Sequence, residues 1–198
     1  FLRAYFYFDL CRMFGTVPLV LTTEAVNNPR AEAKDLYAQI AEDLKYAIQT
    51  LPDKKYEPKD SQLGHATKWA AESLLARVYL FYTGYYNQDA LPLPDGGSVN
   101  KQEVIDWLDD CINNSGHGLV SNFGNLWPYA NSATAPDYKF AVDNNLSWVG
   151  DDQNNETIFA IKYSAMGNHS TSIYYSNQPV LYFSLIPQHF DLTLFISS

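Results

Sequence analysis

The side chains best suited to chemistry are gathered in the second half of the sequence. Trp127, Tyr129, Tyr138, Trp148, Tyr174 and Tyr175 are interleaved with Asn131, Asn144, Asn145, Asp151, Asn168 and Asn177. An aromatic ring offers a flat apolar face to the CH side of a sugar ring, while amides and carboxylates bind hydroxyls. Any one Trp or Tyr is more readily explained as core, because aromatics dominate interiors. As a group in an Asn-rich stretch they describe a ligand surface. Trp127, Trp148, Tyr174, Tyr175 and Asn168 are the candidate carbohydrate contacts.

Catalytic patterns are weaker. His65, His117, His169 and His189 share no metal-ligand spacing, and neither H-E-x-x-H nor G-x-S-x-G occurs. A glycosidase needs two carboxyls facing each other across the sugar, whereas the adjacent acids Asp109 and Asp110 on a helix point apart. The run Asp151 to Glu156 alternates oxygen side chains like a calcium loop but lacks its glycine at the sixth position. No catalytic set, metal site or cofactor is predicted. The reading is a binder, with a pure interaction scaffold and a glycan-degrading enzyme as rivals.

The elements that must position these residues are helical. Thr67 to Tyr86 places apolar residues at Ala70, Leu74, Val78 and Phe81 and again at Ala71, Leu75, Tyr79 and Tyr82. This is helical spacing around most of the circumference, so the helix is central to a stack. Lys68, Glu72 and Arg77 form a narrow polar strip, and Gly84 is the expected terminator. Further helices are predicted over 1–14, ended by Gly15, over 34–51 with Leu36, Ile40, Leu44, Ala47, Ile48 and Leu51 inward, and over 101–113. The last is capped by Asn100 and Glu103 and buries Val104, Ile105, Leu108, Cys111 and Ile112. Helical spacing puts the aromatics of 1–14 in the core. The set of Leu75, Ala76, Tyr79 and Tyr85 resembles a tetratricopeptide repeat, so an array of helical hairpins is expected.

After residue 118 the helical period is lost. One strand is expected over 157–163, and 122–156 reads as an unusually long loop. The fold class is therefore mainly α: tetratricopeptide-like helical hairpins with an irregular, loop-rich region containing little β. Residues 1–118 form the helical region, and 119–198 the aromatic- and Asn-rich ligand region of the same domain. Cys11 and Cys111 lie on apolar faces of separate helices and read as two buried thiols, with a disulfide between them left open.

The chain has 198 residues, 46% of them hydrophobic, enough for a real core. Its net charge of −9 argues against a nucleic-acid partner. No apolar run is long and clean enough to span a bilayer. The opening FLRAYFYF already lies inside an expected helix, and the chain reads as a piece of a longer protein.

Four motifs in order carry a family likeness. They are Phe1 to Val20 (FLRAYFYFDLCRMFGTVPLV); Arg30 followed by Ile40, Asp43, Leu44, Ala47, Leu51 and Pro52; Gly64 to Ala71 with Leu75 to Leu80; and Asn155 to Phe159. Together they resemble the SusD/RagB family over Phe1 to about Tyr163. One departure is His65, where the family usually has Arg. The resemblance implies a surface-exposed lipoprotein of the Bacteroidetes cell outer membrane that binds a glycan, in nutrient uptake and polysaccharide utilization. It implies a SusC-like TonB-dependent transporter as partner, and a membrane tie only through a lipid anchor not present in this chain. Peptide-binding members leave a non-glycan ligand open, and a structural lid on the transporter is the other alternative.

Overall fold

The computed structural model describes residues 1–24, 27–127, 135–150 and 154–161. These divide into two compact units. The first is Phe1–Lys54 with Ala66–Gly116, and the second is Lys55–His65 with the described part of His117–Ser198.

The first unit is built from helices α1 (Leu2–Phe14), α2 (Ala33–Thr50), α3 (Lys68–Tyr86) and α4 (Lys101–Asn114). A two-stranded antiparallel hairpin, β1 (Leu91–Pro92) and β2 (Ser98–Val99), lies between α3 and α4. The mainly α fold is as expected from the sequence. Consecutive helices pack on one another, α1 on α2, α2 on α3 and α3 on α4. On the predicted inner face of α2, Leu36, Ile40, Leu44, Ala47 and Ile48 are buried, whereas Leu51 is the C-cap and only half-buried. In α3 eleven residues are buried, which makes it the central helix of this unit.

Polar residues clasp the stack. Arg3 of α1 donates two hydrogen bonds to the Asp43 carboxylate of α2, at 2.5 and 2.6 Å. Tyr7 accepts the Val20 N–H at 2.7 Å, and the Ala31 N–H donates to the Val17 carbonyl, so the proline-bearing exit from α1 is tied back. Asn100 and Glu103 form a reciprocal capping box at the start of α4, which satisfies two N–H groups that the helix itself cannot.

Several expectations are corrected. Gly84 does not end α3; it sits inside the helix, which runs on to Tyr86. Asn87 supplies the left-handed cap at φ 50°, a conformation its short amide side chain tolerates. Within the narrow polar strip of α3, Glu72 is completely buried, because α4 packs on α3. The aromatics of α1 divide: Tyr5 and Phe8 are buried, whereas Phe6 and Phe14 are exposed with Leu2, Leu10 and Met13. That outer face is apolar in sequence but faces away from α2. On α4 only Val104 and Cys111 are buried, and Ile105 and Ile112 are exposed, since α3 is its principal helical neighbour. Both cysteines are buried free thiols.

The expected strand over 157–163 is absent from its described part, 157–161. No neighbouring strand pairs with it among the described residues, and a strand needs a ladder partner. The stretch read as one long loop contains 3-10 turns at Phe123–Leu126 and Ala135–Asp137 and a short helix, α5 (Lys139–Asp143).

Candidate functional site

The site lies in the second unit and is built around the 3-10 turn Phe123–Leu126. Asn122 precedes the turn, and its side-chain oxygen accepts the Gly124 N–H at 3.0 Å. Gly124 leaves room for a neighbouring side chain. A Cβ at this position would lie 2.7 Å from Leu146 Cδ2, so the missing side chain lets the segment after α5 lie against the turn. Asn125 then holds that segment twice. Its side-chain oxygen accepts the Ser147 N–H at 2.9 Å, and its carbonyl accepts the Val149 N–H at 3.0 Å. The two bonds flank Trp148 and fix its backbone.

Trp127 follows directly on the turn, and its N–H donates to the Gly124 carbonyl at 3.1 Å. Its ring meets Tyr138 edge-on, with centroids 5.0 Å apart and planes at 66°. Trp127 and Trp148 are both half-buried, and Tyr138 is 38% exposed. One turn thus anchors the backbone of two half-buried tryptophans, and the ring of Trp127 is also met by Tyr138.

A second set of bonds ties the base of this unit. The Asn155 carbonyl accepts the Gly118 N–H at 3.2 Å and the His117 Nδ1–H at 3.1 Å, while the Lys55 ammonium donates to the Asn155 side chain. The Glu156 carboxylate accepts the Val120 N–H at 2.6 Å. Burial pushes the His117 pKa below its ordinary value, with the Asn155 carbonyl opposing and the Lys55 charge adding to the fall. The Asn-Glu pair that the sequence places at a strand opening is therefore a tether for residues 117–120.

Of the expected contacts, Trp127 and Trp148 are brought to the same turn. Tyr174, Tyr175 and Asn168 lie outside the described residues, as do Tyr129, Asn131, Asp151 and Asn177. Asn144 donates its amide to the Phe140 carbonyl of α5 at 2.9 Å, and Asn145 takes a left-handed conformation just beyond it. Both serve the chain reversal. Asn125 was not singled out by the sequence. Its signal is weak, an Asn two residues before a Trp in a stretch full of Asn. Among the described residues no group of three or more His, Cys, Asp or Glu could hold a metal ion.

Comparison with known proteins follows the same lines. Residues 1–80 match the profile of a SusD-like family described as starch-binding and associating with the outer membrane. A SusD-like protein of Bacteroides ovatus is 31% identical over 138 residues, which cover 66% of this chain and 23% of that protein. A structure solved with a xylogluco-oligosaccharide is similar at a TM-score of 0.57 and 26% identity, over 84% of this chain and 28% of that one. A SusD-like protein from Bacteroides fragilis aligns with a TM-score of 0.52 and 27% identity, over 83% of this chain and 26% of that one. The chain thus spans about a quarter of the length of these relatives. The ordered motifs, the profile, the Bacteroides ovatus relative and the shared helical architecture place this chain in the SusD-like family.

Proposed function

We propose that the protein to which this chain belongs binds oligosaccharides or polysaccharides at the outer-membrane surface and passes them to uptake. The observation that carries this reading is the pair of half-buried tryptophans, Trp127 and Trp148, whose backbone is anchored to one 3-10 turn through Gly124 and Asn125. The family's starch-binding description and the oligosaccharide present in a similar structure support it. Tyr174, Tyr175 and Asn168 complete the proposed contact set. The function is binding rather than catalysis. A SusC-like TonB-dependent transporter is the proposed partner, and a lipid anchor elsewhere in the protein is the proposed membrane tie.

The test is electrophoresis of the full-length protein through gels containing starch, xyloglucan or another single polysaccharide. Retardation in one gel is expected, and Trp148→Ala should weaken it about tenfold, equivalent to ~1.4 kcal/mol for a buried aromatic anchor. Circular dichroism should be unchanged. Migration unaffected by every polysaccharide would overturn the glycan reading, and shortened products released from the polysaccharide would overturn the non-enzymatic one. Co-purification of a SusC-like transporter with the tagged protein tests the partner.

A further inference from the structure

Glu72 is the most unusual ionisable group in the first unit. It lies in the middle of α3 and is completely buried. As a carboxylate it has no hydrogen-bond donor for either oxygen among the described residues. A buried charge in that position is costly unless it is paired and hydrogen-bonded. Among the described residues the cation paired with it is Lys68, one turn earlier on the same helix, with Nζ 3.7 Å from Glu72 Oε1. Lys68 is already committed elsewhere: its ammonium donates to Asp110 Oδ2 of α4 at 2.5 Å. One cation therefore faces two acids.

Asp110 is the better-equipped anion of the two. It accepts from Lys68 and from the Asn114 amide at 2.6 Å, and its side chain keeps 31% exposure to solvent. Glu72 is completely buried and has no hydrogen-bond donor among the described residues. Its carboxyl and that of Asp110 are nevertheless brought to the same ammonium, with Lys68 Nζ 3.7 Å from Glu72 Oε1 and 2.5 Å from Asp110 Oδ2. Two carboxylates cannot bond each other, but a carboxylic acid and a carboxylate can, because the acid supplies the O–H.

We propose that Glu72 holds a proton and donates it to Asp110, forming a buried acid–carboxylate clasp between α3 and α4 that Lys68 neutralises and that loosens when the proton is lost. The triad then carries one positive and one negative charge. The other groups around Glu72 fit this assignment. From α4, the Cys111 thiol lies 3.7 Å from the Ser73 hydroxyl and is held neutral by burial. From α2, Asp43 is taken by Arg3 and Lys45 reaches Glu103. The Arg12 and Asp9 charges of α1 act on Arg77 instead. The hairpin strand β1, Leu91–Pro92, carries no titratable side chain.

The pH response follows from the sign. Burial, the largest cause, and the neighbouring Asp110 raise the Glu72 pKa to about 7, while Lys68 opposes them. The folded protein therefore holds this proton at a pH where the unfolded chain, near the ordinary Glu value, has released it. The contribution to stability is fully present in acid and is lost as pH rises through about 7. On loss the proton passes to solvent and leaves two carboxylates facing each other across the α3–α4 contact.

The test is infrared difference spectroscopy of the full-length protein with Glu72→Gln, which keeps shape and a donor but cannot ionise. A protonated-carboxyl C=O band should persist in the wild type at pH 6, disappear as pH is raised to 8.5, and be missing in the variant. Thermal unfolding should show Glu72→Gln gaining on the wild type by on the order of a few °C between pH 5.5 and 8.5. In Asp110→Asn the like charge is gone and Lys68 is released to Glu72, so the band at pH 6 should also vanish. A band unaltered in both variants would overturn the clasp, as would a difference in Tm between wild type and Glu72→Gln that does not change with pH.

Discussion

The residues that define this family by pattern are mostly those that hold the chain to itself. Arg3 and Asp43 belong to two separate motifs and are the two ends of one bidentate ion pair. Asn155 and Glu156, a third motif, tie residues 117–120. Their positions were legible in the sequence because each stands in a recognisable run, but their partners were not, because pairing across some forty residues leaves no local trace. Glu72 is the sharper case. Its neighbours on α3 made it part of a polar strip, and only the position of α4 reveals that the strip is covered. At the site, Trp148 is held by bonds on either side of it, both accepted by Asn125. If this geometry matters for binding, Asn125→Ala should weaken polysaccharide retardation about as much as Trp148→Ala. It should cost only about 1 kcal/mol in urea unfolding, the worth of one net hydrogen bond. Retained retardation would mean that Trp148 is positioned by other contacts.

At the scale of elements, the helices were legible because period and caps agree. The capping box of Asn100 and Glu103 is written in four residues, and α4 begins where they say. Asn100→Ala should therefore lower stability by about 1 kcal/mol, measured as a fall in urea midpoint with unchanged slope. Gly84 is the instructive error. Glycine is a common terminator, but nothing forces α3 to stop there, and Asn87 does the stopping three residues later. A Cβ at Gly84 meets nothing within 4 Å, and the residue is helical and exposed. Gly84→Ala should stabilise the protein by about 0.5–1 kcal/mol, through the unfolded chain's lost freedom and the better helix former. A destabilised variant would show that the exposed face at Gly84 touches a further part of the protein. The short elements between 123 and 143 escaped the sequence reading because turns of three to five residues are too brief to establish a period.

Across the whole molecule the two units should answer pH in opposite directions. Burial lowers the pKa of His117, so acid drives protonation in the unfolded chain before the folded one, and stability from this group falls as pH drops through the unfolded value of ~6.5. The Glu72 clasp fails at the other end of the scale. Hydrogen exchange read by mass spectrometry should therefore show faster exchange at 117–120 at pH 5, and at α4 at pH 8.5, after correction for the intrinsic rate. Parallel changes in both regions would contradict the assignment of these two groups.

The outer side of α1 has a colloidal consequence. Leu2, Phe6, Leu10, Met13 and Phe14 expose a continuous run of apolar side chains on a chain with net charge −9. At low ionic strength mutual repulsion keeps such chains apart; added salt shortens its reach to roughly 8 Å at 0.15 M. Sulfate goes further and strengthens apolar association. The 198-residue polypeptide should accordingly dissolve best in dilute buffer and cloud on addition of ammonium sulfate. Replacing Phe6 and Met13 with glutamate should move that clouding point to higher salt.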